Sequence, residues 1–184
     1  MPDGVFAVEV VTPERRLVDG SARAVVLRSS EGDLTVLDGH TPLIADIVPG
    51  EVRVDRPEGD PVRLAVHGGY LQVGPEGDPA TDGAEPVAGR DQRATTRVTV
   101  LAGVAELADE IDPERAEQAR EQAERRVEEL RAAVAAGGAP GAPGSPGGAA
   151  GDAGPAPTAE ERQLAQAEAA LRRAEVRLQV ASTH

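Results

Sequence analysis

A chain of 184 residues, 40% of them hydrophobic, has material for one or two small cores and not for a large catalytic fold. Phe6 and Tyr70 are its only aromatics and it has no Cys, which excludes disulfides, thiolate metal sites and Cys nucleophiles and argues against an aromatic-walled cofactor site. Its formal net charge of −13 repels a phosphate backbone and argues against general nucleic-acid binding.

The first hundred residues read as short strands punctuated by turns. Val5 to Val11 is a β-rich run that stops at Thr12-Pro13, because Pro cannot donate to a central ladder. Glu51-Val52-Arg53-Val54-Asp55 and Val62-Arg63-Leu64-Ala65-Val66 alternate with period two, which sets one face on a core and the other in water. Turn signals recur at Asp19-Gly20, Glu31-Gly32, Asp38-Gly39, Pro49-Gly50, Glu58-Gly59 and Gly68-Gly69, a spacing that predicts a β-sandwich or barrel. Residues 74–96 are too polar and too rich in Gly and Pro for a buried strand, so an exposed insertion is expected there. Arg97 to Leu101 reads as the last strand.

The period then lengthens. Ala116, Ala119, Ala123, Val127, Leu130 and Val134 fall in steps of three and four, one stripe of a helix. Asp112 suits its N-cap and Pro113 its first position, and Gly137-Gly138 ends it. Residues 136–157 have the composition of a disordered linker. Thr158 and Glu161 form the capping box of a second helix with its stripe at Leu164, Ala167, Leu171, Ala174 and Leu178. Two Ala-rich stripes can approach closely as an antiparallel pair. The predicted fold is therefore α+β by segregation: an N-terminal β-sandwich over 1–103, then a C-terminal antiparallel α-helical hairpin over 104–184. No basic segment followed by an apolar run opens the chain and no window reaches the length of a membrane helix, so no signal peptide is expected and any membrane association is indirect. No G-x-S-x-G, H-E-x-x-H or P-loop signature is present, and no catalytic or metal-ligating set is expected; His40 with Asp38 makes a poor metal site.

Seven strings stand in an order that resembles the epsilon subunit of bacterial F-type ATP synthases. They are Val11-Thr12-Pro13-Glu14-Arg15, Ser30-Glu31-Gly32-Asp33-Leu34, Asp38-Gly39-His40-Thr41-Pro42-Leu43, Pro49-Gly50-Glu51-Val52, Gly68-Gly69-Tyr70-Leu71-Gln72-Val73, Val98-Thr99-Val100-Leu101-Ala102 and Ile111-Asp112-Pro113-Glu114-Arg115-Ala116. Thr35, Asp38 and Gly103 depart from the family's usual Gly, Pro and Asp. The resemblance implies a non-catalytic central-stalk subunit of a proton-translocating synthase, peripheral on the cytoplasmic face of the bacterial plasma membrane. It would couple the c-ring to the gamma subunit and brake ATP hydrolysis through C-terminal helices that reach the alpha and beta subunits. It implies contacts to the c-ring or gamma at Glu31 and His40, and an inhibitory helix contact at Arg172, Arg173 and Arg177. It also implies a regulatory ATP at Glu106, Ile111, Asp112, Arg115 and Ala116, with no other cofactor. The plain reading of Asp112 is an N-cap, that of Glu31 a solvated turn acid, and that of the helix arginines i, i+4 pairing. An adaptor or scaffold of the same architecture is the alternative function.

Overall fold

The computed structural model describes residues 4–75, 96–137 and 158–183. Among them are ten strands: β1 Phe6–Val11, β2 Arg16–Ala22, β3 Ala24–Ser29, β4 Gly32–Leu37, β5 Leu43–Ile47, β6 Gly50–Asp55, β7 Val62–Val66, β8 Gly69–Pro75, β9 Thr96–Ala102 and β10 Ala105–Leu107. A 3-10 turn at Ala108–Glu110 follows, and then helices α1 (Pro113–Gly137) and α2 (Ala159–Ser182). The chain divides into two compact units, Met1–Pro113 with Val176–His184, and Glu114–Glu175. Gly74 and Pro75 still belong to β8 and Thr96 already opens β9; the rest of the expected insertion, and the interhelical tract from residue 138 to 157, lie outside the described residues.

In the first unit the strands form one hydrogen-bonded path, β10-β7-β6-β3-β5-β8-β9-β1-β2, with β4 paired to β3. Every pairing is antiparallel except β1 with β9. The path folds over at β3 and β5, which share only the pair Ser29–Ile47. Strands on either side of this corner, from Val25 and Val52 to Val98 and Val100, enclose a single core, which makes the arrangement a sandwich. Val8, Val10, Val25, Val36, Val52, Val54, Leu64, Val66 and Leu71 are fully enclosed, so aliphatic residues fill the interior, with Phe6 as its sole aromatic. The alternation read from β6 holds, with Val52 and Val54 buried between half-buried Glu51, Arg53 and Asp55. Asp19-Gly20 does not turn the chain. Gly20 pairs with Val8 inside β2, and the reversal lies at Thr12–Arg15, where the Thr12 hydroxyl accepts from the Arg15 backbone N–H.

In the second unit the helices pair as a hairpin through Val127, Leu130 and Ala167, flanked by Leu164 and Leu171. Arg126 donates to Gln163, and Arg131 forms an ion pair with Glu168 at 2.8 Å. The stripe read for α1 is the buried one, with Ala116, Ala123, Val127 and Leu130 enclosed. The capping box at the start of α2 is formed: Thr158 N–H donates to Glu161 Oε2 at 2.6 Å, and Glu161 N–H donates to Thr158 Oγ1 at 3.2 Å.

Gly69 is fixed by the backbone. Its φ is +154°, and a Cβ there would lie 2.2 Å from the Leu101 carbonyl oxygen, so β8 could not pair with β9 unchanged. Gly69→Ala is expected to lower unfolding stability by roughly 2–4 kcal/mol, from strain and overpacking together. Gly20→Ala, with nothing within 4 Å of the new methyl, is the control and should leave the thermal midpoint nearly unchanged.

Candidate functional site

A strand in a sandwich normally buries one face. In β7 the inward residues are Val62, Leu64 and Val66, yet the outward Ala65 is also fully buried. The cover is the last turns of α2, whose Val176 and Val180 join Ala65, Ala108 and Ile111 in a cluster distinct from the main core, with Ala181 against it. Ala65 suits this position because a larger side chain would hold the helix off the sheet. Its cross-strand neighbours on the same face are Glu106 on β10 and Glu51 on β6. Each carboxylate is held by an arginine, Glu106 by Arg177 of the helix and Glu51 by Arg63 of the sheet.

The Glu106–Arg177 contact is a two-oxygen grip. Arg177 Nε lies 2.8 Å from Oε2 and 3.1 Å from Oε1, and Nη2 also donates to Oε1. That donation, more than any other influence, holds the Glu106 carboxyl below its ordinary value of 4.5, against the opposing effect of burial. The helix tail is thus fastened by two valines and one ion pair.

The opposite layer carries an apolar strip on its outer face. Tyr70 of β8 stands beside Leu101 of β9, which stands beside Val11 of β1. Tyr70 is 57% exposed and Leu101 45%, and Ile44 on the adjacent β5 is 72% exposed. Tyr70 and Leu101, with Pro13 and Gly68, border a shallow cavity of about 570 Å³.

Of the residues singled out in the sequence, Glu31 is exposed in the β3–β4 turn and donates its backbone N–H to Ser29 Oγ. His40, between β4 and β5, makes a local contact, Nδ1 to the Thr41 carbonyl at 2.8 Å. Ile111 is buried in the tail cluster, and Asp112 is exposed just ahead of α1. Glu106, Ile111 and Asp112 fall in the first unit, while exposed Arg115 and buried Ala116 fall in the second. Arg172 is exposed and Arg173 half-buried in the second unit; Arg177 is the member of the trio that reaches Glu106. The structure therefore joins two residues that the sequence assigned to different sites.

Tyr70, Leu101, Ala65, Val176 and Val180 were missed as functional positions. Parity could have found the first two, since Leu71, Val73, Val98 and Val100 face inward and force Tyr70 and Leu101 out. The Val176–Val180 step of four competes with the stripe through Leu178, and sequence alone does not rank them.

Residues 5–77 match the family model described as ATP synthase, Delta/Epsilon chain, beta-sandwich domain. The ATP synthase epsilon chain of Thermobifida fusca is 40% identical over 110 residues, 59% of this chain and 66% of that protein. The epsilon chain of Streptomyces avermitilis is 34% identical over 108 residues, 59% of this chain and 71% of that protein. A chain in the cryo-EM structure of the Euglena gracilis mitochondrial ATP synthase (OSCP/F1/c-ring, rotational state 1) superposes with a TM-score of 0.60 at 18% identity, covering 97% of this chain and 81% of that one; it shares the fold.

Because the folded Glu106 carboxyl titrates below 4.5, the tail gains stability from it above that pH and loses it as the pH falls through the depressed value. Hydrogen-exchange protection of the Val180 amide should therefore decline selectively on acidification below about pH 4.5. In Glu106→Gln it should be lower at neutral pH and lack that step. A step of equal size in the variant would mean that another group fastens the tail.

Proposed function

Since the chain belongs to the ATP synthase epsilon chain family, we propose that it is a non-catalytic central-stalk subunit that joins the gamma subunit to the c-ring and restrains ATP hydrolysis through its C-terminal helices. The observation that carries the regulatory part is the seat of the α2 tail. A cluster of its own, separate from the main core and held by one ion pair, is an attachment that can be made and released without unfolding the sandwich.

The pair Tyr70 and Leu101, with Ile44 placed diagonally to Tyr70 beyond its direct partner Asp46, is the face offered to gamma, because exposed aliphatic and aromatic side chains gain most from being covered. Glu31 and His40, in two of the turns, are the contacts offered to the c-ring. The protein then sits at the cytoplasmic face of the plasma membrane through its partners; among the described residues no helix is long and apolar enough to cross a membrane. Arg172 and Arg173 would meet acidic residues of a beta subunit when α2 leaves its seat. Regulatory ATP belongs to the same proposal, with Glu106, once Arg177 has released it, as acceptor for the adenine amino group; calorimetry should register ATP at millimolar concentrations in the parent and weaker binding in Glu106→Gln. An adaptor working outside a synthase is the competing reading, and it predicts no co-purification with gamma.

Two experiments on the reconstituted complex test this. Tyr70→Asp with Leu101→Asp should weaken association with gamma by about thirtyfold or more, the size expected of a buried hot spot. Unaltered co-purification would remove the strip from the interface. Arg172→Glu with Arg173→Glu should raise the ATP hydrolysis rate of the assembled enzyme severalfold, as should removal of residues 158–184. A rate unchanged by either would end the regulatory reading.

A further inference from the structure

A second opening lies next to the tail seat, on the outer face of β3, β6 and β7, with a volume of about 410 Å³. Arg28, Arg53 and Arg63 line it from three neighbouring strands, with Glu51 and Asp33 beside them and Gln179 of α2 at its rim. Arg53 stands directly opposite Arg63 in the β6–β7 ladder. Like charges in that position repel and are ordinarily avoided, the more so in a chain whose formal charge of −13 supplies abundant acids.

The nearby carboxylates do not use up these donors. Glu51 takes one nitrogen of Arg63, and Asp55 Oδ2 takes Arg53 Nη2 at 3.2 Å. Arg53 Nε lies 3.0 Å from Asp55 Oδ1 but is not aligned to donate to it, and it is buried without a hydrogen-bond acceptor among the described residues. Asp33 approaches Arg28 only to 3.8 Å, with both side chains well exposed. A guanidinium N–H that is buried and aligned on no acceptor, even beside a carboxylate, carries part of its desolvation cost, which a well-placed entering acceptor lowers.

We propose that this opening is a binding site for a phosphoryl dianion, gripped by Arg28, Arg53 and Arg63 and closed on one side by the Gln179 carboxamide. Planar guanidinium forks on three strands match the several oxygens of such a group, which offers more acceptors than any one carboxylate present. Asp33, well exposed and 3.8 Å from Arg28, can turn to solvent on its arrival, since exposed ion pairs contribute little, while half-buried Asp55 keeps its hold on Arg53 from outside the opening. Because Gln179 belongs to the α2 tail, the site is complete only with the tail seated, and by linkage the ligand must favour the seated tail. This assignment does not rest on the synthase reading: it concerns the isolated chain.

The test is calorimetric titration of the full chain with pyrophosphate in magnesium-free buffer, with inorganic phosphate and ATP as parallel arms. Saturable binding at one site is expected, weakened at least tenfold, on the order of one or two charged hydrogen bonds, in Arg53→Gln/Arg63→Gln. It should be unchanged in Arg125→Gln, which alters an exposed helix residue. If the double variant does not fold, as judged by its melt, Arg28→Gln carries the same expectation. Pyrophosphate should also raise exchange protection at Val180, and Gln179→Ala should diminish that gain. Loss of pyrophosphate binding in the double variant with ATP binding intact would support the proposal and place the nucleotide elsewhere. No heat up to about 10 mM, far weaker than a specific site would give, or equal loss in Arg125→Gln, would overturn the proposal.

Discussion

The C-terminal part of the molecule is organised by one small side chain on the wrong side of a sheet. A β-strand at a sandwich surface can leave its outer face to water only if that face is polar, and Ala65 is not polar and is not in water. Some element must cover it, and the covering element must come close. Val176 and Val180, one helical turn apart, present the two surfaces that fit, and Ile111 and Ala108 close the rim. From that contact follow the position of Arg177 over Glu106 and of Gln179 at the neighbouring opening.

Magnitudes indicate what such a seat can do. Burying a valine stabilises by about 1.5–3 kcal/mol at most, and a partly exposed ion pair adds about 0–1 kcal/mol. Part of this is offset by the entropy of ordering the last turns of the helix. The remainder is a few kcal/mol, and reversing a two-state equilibrium from 1:99 to 99:1 takes about 5.5 kcal/mol of differential affinity. A partner surface of ordinary size supplies that much. The main core is a different matter, because its dozen fully enclosed side chains from Phe6 to Val100 cannot be exchanged piecemeal.

The elements that could be read in advance share a physical trait: their stability is decided locally. Period-two alternation in β6, the capping box at Thr158 and Glu161 and the three-four stripe of α1 all stand as read. Asp19-Gly20 misled because a glycine marks a turn only where the backbone needs it, and on an edge strand Gly20 simply continues the ladder. Ala65 misled for the complementary reason. Its burial is imposed by residues more than a hundred positions away, and no window around β7 contains them. A long separation in sequence also divides Glu106 from Arg177, which each carried a local meaning, acid upstream of a helix and cation on a helix face. Tyr70 and Leu101 were legible by parity, but only when alternation is used to find the large apolar residues that point outward as well as those that point inward.

The two carboxylates flanking Ala65 make the seat asymmetric, and the asymmetry decides what its electrostatics are for. Glu51 keeps Arg63, a sheet residue, whether or not the helix is present, whereas Glu106 depends on Arg177 of the tail. When the tail leaves, one carboxylate beside an apolar patch is stripped of its partner and the other is not. A lone partly buried carboxylate repels an acidic surface and attracts a basic one. In a chain of net charge −13 the charged side chains are more often of the repelled kind. The ion pair thus adds little to the strength of the closed seat and much to its selectivity, because it lets an arginine-bearing helix return and keeps the acidic remainder of the chain away.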